Sequence, residues 1–213
     1  MAERTVTSRA QKKREQIRAA AQRLFLRHGF VGTSTDAIMA EAGVASKETL
    51  YRYYPNKEEL FADVLRHLTL ENPGNRWLTE RELEVKNGQE LRQLLTEVAQ
   101  ELLTIMMQPD YLAIIRLIMA DLPRFPQLGE LFRTTIPEQA MQRILTLLIK
   151  VREEGIVRAD VDLEAVVRMF IGSLLTYALF SGLFRVGEEP QVPEAERLAA
   201  IVDVLMKALL HNS

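Results

Sequence analysis

The chain of 213 residues contains no cysteine. Disulfides, thiolate-held metals and a cysteine nucleophile are therefore excluded. Histidine is scarce: His28, His67 and His211 lie far apart, and no His-Glu-x-x-His spacing joins them. No metal and no other cofactor is expected. There is no glycine-rich phosphate loop and no nucleophile–base spacing, so an enzyme is not expected either. Sustained apolar–polar alternation, the mark of strands, is missing, and the eight prolines fall mostly between periodic segments. Internal repeats and low-complexity tracts are absent. Long apolar runs are few. Met169 to Phe184 is sixteen residues without a charge, but it holds Gly172, Ser173, Thr176, Ser181 and Gly182. A membrane span needs roughly twenty apolar residues, so this run reads as a buried helix, with no membrane partner. The N-terminus is polar and basic and unlike a secretory signal. With the lack of cysteine, this suits a cytoplasmic protein.

A surplus of one charge is missing too. Lys plus Arg is 27 and Asp plus Glu is 29, a formal net charge of −2. Taken whole, that speaks against a nucleic-acid binder. The average conceals two unlike parts. Residues 1–57 hold 11 basic and 5 acidic residues, a balance of +6; residues 58–213 hold 16 and 24, a balance of −8. A basic N-terminal quarter before an acidic remainder is itself a signal for an anionic polymer.

What the chain does have is helical periodicity from end to end. Residues 1–8 read as an arm. Helix 1, about Arg9–His28, carries the stripe Ile17, Ala20, Ala21, Leu24 and Phe25, and Gly29 stops it. A short helix begins at Thr33-Ser34-Thr35 and ends at Gly43. A second spans about Ser46–Tyr54 and ends at Pro55; Asn56 caps a fourth over Lys57–Leu70. Glu71-Asn72-Pro73-Gly74-Asn75 reads as a linker, and 76–88 as one more turn or short helix. Further helices are predicted at about 89–107, 110–120, 127–133, 136–154, 162–184 and 194–211.

Two short helices around a glycine-containing turn are a helix-turn-helix signature, in which the second helix enters the major groove. Neither is long enough to stand alone. Ile38, Val44, Leu50, Leu60, Phe61 and Val64 are expected to form their small core. On the residues alone, a helical small-molecule-binding or scaffold protein without specific DNA binding remains the alternative.

The stretch Gly29-Phe30, Thr33-Ser34-Thr35-Asp36-Ala37-Ile38, Ala42-Gly43-Val44, Thr49-Leu50-Tyr51-Arg52-Tyr53-Tyr54 and Asn56-Lys57-Glu58-Glu59-Leu60 resembles the DNA-binding domain of the TetR family of transcriptional regulators. The segment Arg124-Phe125-Pro126-Gln127-Leu128 is similar to the C-terminal domain of its AefR-like branch. One departure stands out. Four residues, Ala45, Ser46, Lys47 and Glu48, separate Val44 from Thr49, where the family usually has three. This bears on which residue caps the recognition helix.

The resemblance implies an all-α protein of about nine helices: a helix-turn-helix domain over 9–56, a connecting helix and linker over 57–75, and a ligand-binding and dimerisation domain over 76–213. It implies a ligand-responsive repressor that binds a palindromic operator as a homodimer. Its DNA contacts are expected from Thr33, Ser34, Thr35, Ser46, Lys47, Thr49, Tyr51, Arg52, Tyr53 and Lys57, with Arg9, Lys12, Lys13 and Arg14 adding general attraction. Tyr54 is assigned to packing. Effector contacts are expected from Met106, Met107, Tyr111, Ile115, Met119 and Met141, since methionine adapts to varied ligand shapes. The dimer interface is expected from Val166, Phe170, Leu174, Tyr177, Leu198, Ile201, Leu205 and Leu209.

Overall fold

The computed structural model describes residues 2–69, 85–135 and 137–210, all helix, turn or loop, with no strand among them. The linker read at 71–75 and most of the segment read at 76–88 lie outside the described residues. The helices are α1 (Ala2–Gly32), α2 (Thr35–Ala42), α3 (Lys47–Tyr53), α4 (Lys57–Thr69), α5 (Gly88–Met106), α6 (Pro109–Asp121), α7 (Gln127–Thr135), α8 (Pro137–Glu153), α9 (Leu163–Ala178) and α10 (Ala195–Leu209). A π-helical turn, Leu179–Leu183, follows α9 directly.

Helix α1 begins at Ala2, so the expected arm over 1–8 is helical from its second residue; no proline or glycine interrupts it. Its backbone breaks at Gly29, which takes φ 77° and ψ 171°. The other starts and stops follow their caps. Ser34 accepts from the Ala37 N–H at 3.1 Å, Asn87 from Glu90 at 2.9 Å and Asp162 from Ala165 at 3.1 Å. Asn56 likewise accepts from Glu59 at 2.7 Å, as its position before α4 predicts.

Two compact units emerge: Met1–Leu68 with Ala113–Thr135, and Thr69–Leu112 with Ile136–Ser213. This departs from the division expected from the motif, because segment 113–135 packs with the N-terminal helices. Phe125 meets the ring of Phe30 at 6.0 Å, and the Asp121 carboxylate accepts from the Val31 N–H at 3.4 Å. The core of this first unit is aromatic. Phe25, Phe30 and Phe61 form a triangle with centroids 5.1–5.7 Å apart, each ring essentially fully buried.

The second unit buries an aliphatic core drawn from α5, α8, α9 and α10, including Leu91, Leu95, Leu103, Leu148, Phe170, Leu174, Val202 and Leu209. The run Leu163–Leu183 is long and apolar enough to cross a membrane by length and composition. One side of it, through Val166, Val167, Phe170 and Leu174, lies in this core, while Met169 and Phe180 are exposed.

At Gly29 a side chain would meet both strain and Asp121, whose Oδ2 stands 3.4 Å from an added Cβ. The φ and ψ values belong to a region open essentially to glycine alone. Gly29→Ala is expected to cost about 1–3 kcal/mol, read as a lower midpoint in urea unfolding of the first unit.

Candidate nucleic-acid interface

Helix α2 closes at Gly43, whose left-handed φ of 59° lets its N–H and that of Val44 return to the Ala40 and Met39 carbonyls. Val44 and Ala45 form the turn, and Ser46 caps α3. The Ser46 hydroxyl oxygen accepts from the Thr49 N–H at 3.2 Å and pairs with the Thr49 hydroxyl at 3.0 Å. The extra residue before Thr49 is thus absorbed ahead of the cap, and α3 starts cleanly at Lys47.

Leu50 and Tyr54 turn inward, at 2% exposure each, while Lys47, Glu48, Tyr51 and Arg52 are exposed. Lys47 Nζ lies 3.0 Å from Asp36 Oδ1 on the first turn of α2, and this partner raises the pKa of the lysine. Arg52 sits 3.8 Å from Glu48 on the same helix. Beside α3, Arg9, Lys12, Lys13, Gln16 and Tyr53 line an open groove of about 590 Å³. Such a surface offers cationic, hydroxyl and amide groups to phosphate oxygens and side chains to base edges.

Several expected contacts prove to be occupied elsewhere. Thr33 is 2% exposed, and its hydroxyl donates to the Gly29 and Leu24 carbonyls at 2.7 and 3.1 Å. It repairs the break in α1 and has no face for DNA. Ser34 and Ser46 are exposed but serve as caps, and Thr35 is half-buried. Lys57 Nζ donates to the Phe30 and Thr33 carbonyls at 2.8 and 3.0 Å and lies 4.2 Å from the Phe30 ring centre. Two of its three donors therefore clasp the start of α4 to the end of α1. Burial lowers its pKa, against the opposing charges of Glu58 and Asp121. Lys13 donates to the Gly43 carbonyl at 3.0 Å, which ties α1 to the turn.

Arg14, though exposed, is also held from within the domain. Its Nη2 donates to Asp63 Oδ1 at 3.1 Å, and its guanidinium lies 5.4 Å from the centre of the Tyr54 ring. Asp63 was not foreseen. It is 2% exposed and gathers Arg14, Arg66 at 3.3 Å, Arg18 at 3.8 Å and the Tyr54 hydroxyl at 2.5 Å. The node joins α1, the end of α3 and α4. The clue was available: Asp63 stands among Leu60, Phe61, Val64 and Leu65, and an acid on an apolar stripe needs partners. Burial alone pushes its carboxyl up, but the Tyr54 hydroxyl and the guanidinium groups prevail and hold it below the usual range. Burial and the same carboxylate push the Tyr54 hydroxyl up, so it remains a donor.

The residues expected at an effector divide between the units. Met106, Met107 and Met141 belong to the core of the second unit or pack against it, and Tyr111 is buried in that unit, where burial raises its hydroxyl pKa. Ile115 and Met119 fall in the first unit, and Met119 is 52% exposed. Most of the expected dimer stripe turns inward within the chain. Val166, Phe170, Leu174, Leu198, Leu205 and Leu209 are core residues of the chain itself, with Tyr177 and Ile201 packed against them. The strongest apolar stripe of each helix went inward, as burial demands. The apolar residues left outside are Met169, Leu175, Phe180, Phe184 and Val204.

A capped recognition helix on a helix-turn-helix frame, with a second helical unit in the same chain, defines a two-domain regulator of the helix-turn-helix class. Known proteins agree. The family model for bacterial regulatory proteins of the tetR family matches residues 17–64, and that for the C-terminal domain of AefR-like transcriptional repressors matches residues 93–208. The chain belongs to the TetR family. Over 52 residues it is 50% identical to HTH-type transcriptional repressor SCO4008 of Streptomyces coelicolor, a match that spans 24% of this chain and 27% of that protein. Across nearly their whole lengths it is similar to the flavonoid-responsive regulator FrrA, at 29% identity, 95% and 99% coverage and a TM-score of 0.69. GusR of Salmonella enterica is similar at 25% identity, 92% and 96% coverage and a TM-score of 0.62.

Because the Asp63 pKa is depressed on folding, the unfolded chain binds the proton more readily. The stabilisation is complete above the unfolded carboxyl value, about 3.9, and is lost as pH falls through the lower folded value. Asp63→Asn should therefore cost about 3 kcal/mol at neutral pH. Thermal melts of the two proteins should converge below about pH 4, with the variant showing the flatter pH profile.

Proposed function

We propose that this chain is a cytoplasmic, ligand-responsive transcriptional repressor that binds a palindromic operator as a homodimer. The observation that carries the reading is the exposed face of α3, with Lys47, Tyr51 and Arg52 outward and Leu50 buried, beside the groove lined by Arg9, Lys12, Lys13 and Tyr53. The helix supplies base contacts and the groove supplies phosphate contacts. Thr49, half-buried on the same helix, offers a methyl and a hydroxyl to a base edge.

Two copies are needed to read a palindrome, with recognition helices about one DNA turn (~34 Å) or a multiple apart. The exposed side of α9, the π turn and α10 supports that pairing through Met169, Phe180, Phe184 and Val204; the rings of Phe180 and Phe184 already meet edge to face at 5.9 Å. The effector is proposed to sit in the second unit beside Met106, Met107, Tyr111 and Met141. It acts by binding one dimer geometry better than the other, and its effect is limited to that difference in affinity. FrrA is named for its response to flavonoids, so planar polyphenols are the first compounds to screen.

Gel shifts with palindromes from the flanking DNA test the reading. Binding should prefer one sequence and weaken steeply with salt; absence of any sequence preference would overturn it. Tyr51→Phe should lower operator affinity by roughly tenfold, the loss of one hydrogen bond to a charged oxygen. Phe180→Glu should give a monomer in analytical ultracentrifugation and abolish the shift, while far-ultraviolet dichroism stays helical.

A further inference from the structure

The pair formed by Asp36 and Lys47 has a chemistry that a structural brace does not explain. Both side chains are more than half exposed, at 67% and 56%. An exposed pair of this kind adds little to stability. Asp36 also puts a negative charge on the face offered to a polyanion, where it weakens sequence-independent attraction. A carboxylate tolerated there should return something in recognition.

In the major groove an ionised carboxylate can only accept, and the donors it meets are cytosine N4 and adenine N6. An ammonium can only donate, and its acceptors are guanine O6 and N7, adenine N7 and thymine O4. Lys47 Nζ and Asp36 Oδ1 are 3.0 Å apart, so they reach neighbouring groups and not distant bases. Within a G·C pair, guanine O6 and cytosine N4 are themselves about 2.9 Å apart, the ordinary N–H···O length. Each keeps one bonding direction free toward the groove. An A·T pair also sets donors beside acceptors, N6 with N7 on adenine and N6 with thymine O4 across the pair, but in either place the ammonium meets a single acceptor. The G·C pair instead gives it two acceptors, O6 and N7.

We propose that Asp36 and Lys47 act as one reading unit for a single G·C base pair in each operator half-site. Lys47 donates to guanine O6 and N7, and Asp36 accepts from N4 of the cytosine paired with that guanine. The bond between the two side chains in the free protein holds them at the spacing the base pair presents. This rests on the DNA-binding reading above and adds to it a base and two positions.

The test is selection from randomised palindromic DNA with the full chain and with Asp36→Ala, Lys47→Ala and the double variant, followed by affinity measurements on point-substituted sites. The wild type should fix one G·C pair per half-site. Both single variants should relax that same pair, with discrimination falling at least fivefold, about the lower end for a base contact. The double variant should lose little more than either one, and melting curves should stay close to wild type. Three results would overturn the proposal: Asp36→Ala tightening binding to all sequences alike with an unchanged profile, the two variants relaxing different positions, or the shared position proving to be A·T. A wild-type chain that selects no sequence would remove the DNA-binding reading itself, an outcome distinct from these three.

Discussion

Two helices of eight and seven residues must present side chains to a double helix, and neither can hold its own shape in water. Their geometry is borrowed. Ile38 and Leu50 anchor the inner faces, and behind them Phe25, Phe30 and Phe61 form an aromatic triangle that Phe125 extends from a distant part of the sequence. The ends are fixed by backbone bonding: Thr33 on the Gly29 and Leu24 carbonyls, Lys57 on those of Phe30 and Thr33, Lys13 on that of Gly43. Side-chain donors thus satisfy carbonyls that a helix break would otherwise leave bare.

This changes the meaning of the basic N-terminal quarter. Its surplus of six charges is a signal for an anionic polymer. Part of it works inside the domain. Arg14 and Arg18 neutralise the buried Asp63, Arg23 bonds Glu41 at 2.9 Å to tie α1 to α2, and Lys57 is the clasp. Arg9, Lys12, Arg27 and Arg52 face outward as well. On α2 and α3, Asp36 and Glu48 set negative charges beside Lys47 and Arg52.

The local features were legible because local chemistry determines them. Gly43 in the turn, Pro55 after α3, Asn56 before α4 and the inward stripe of α1 each act within a few residues; α1 starts seven residues before its expected start and ends four past its expected end, while the other helices lie within a residue or two of their expected ends once the π-helical turn is counted with α9. Three things were not legible, for reasons of reach. The packing of 113–135 with the N-terminal unit depends on Phe125 finding Phe30, 95 positions away in the chain. The buried Asp63 node needs residues from α1, α3 and α4 together. The third is which apolar face of α9 turns inward, because a helix with two such faces does not say so in its sequence. Val166, Phe170 and Leu174 took the core, and Met169 and Phe180 were left outside.

The π-helical turn at Leu179–Leu183 has a further effect on that outer face. After Ala178 the chain turns inward again at Gly182 and Leu183. Gly182 makes room for this: a Cβ there would stand 2.8 Å from the Met107 sulfur. Phe180 and Phe184, four residues apart, come outward on one face, while Gly182 and Leu183 turn inward. A residue gained or lost at this point rotates what the helix end displays by about 100° and leaves the core packing ahead of it in place. The outer face proposed for pairing can thus be re-addressed without rebuilding the body that carries it.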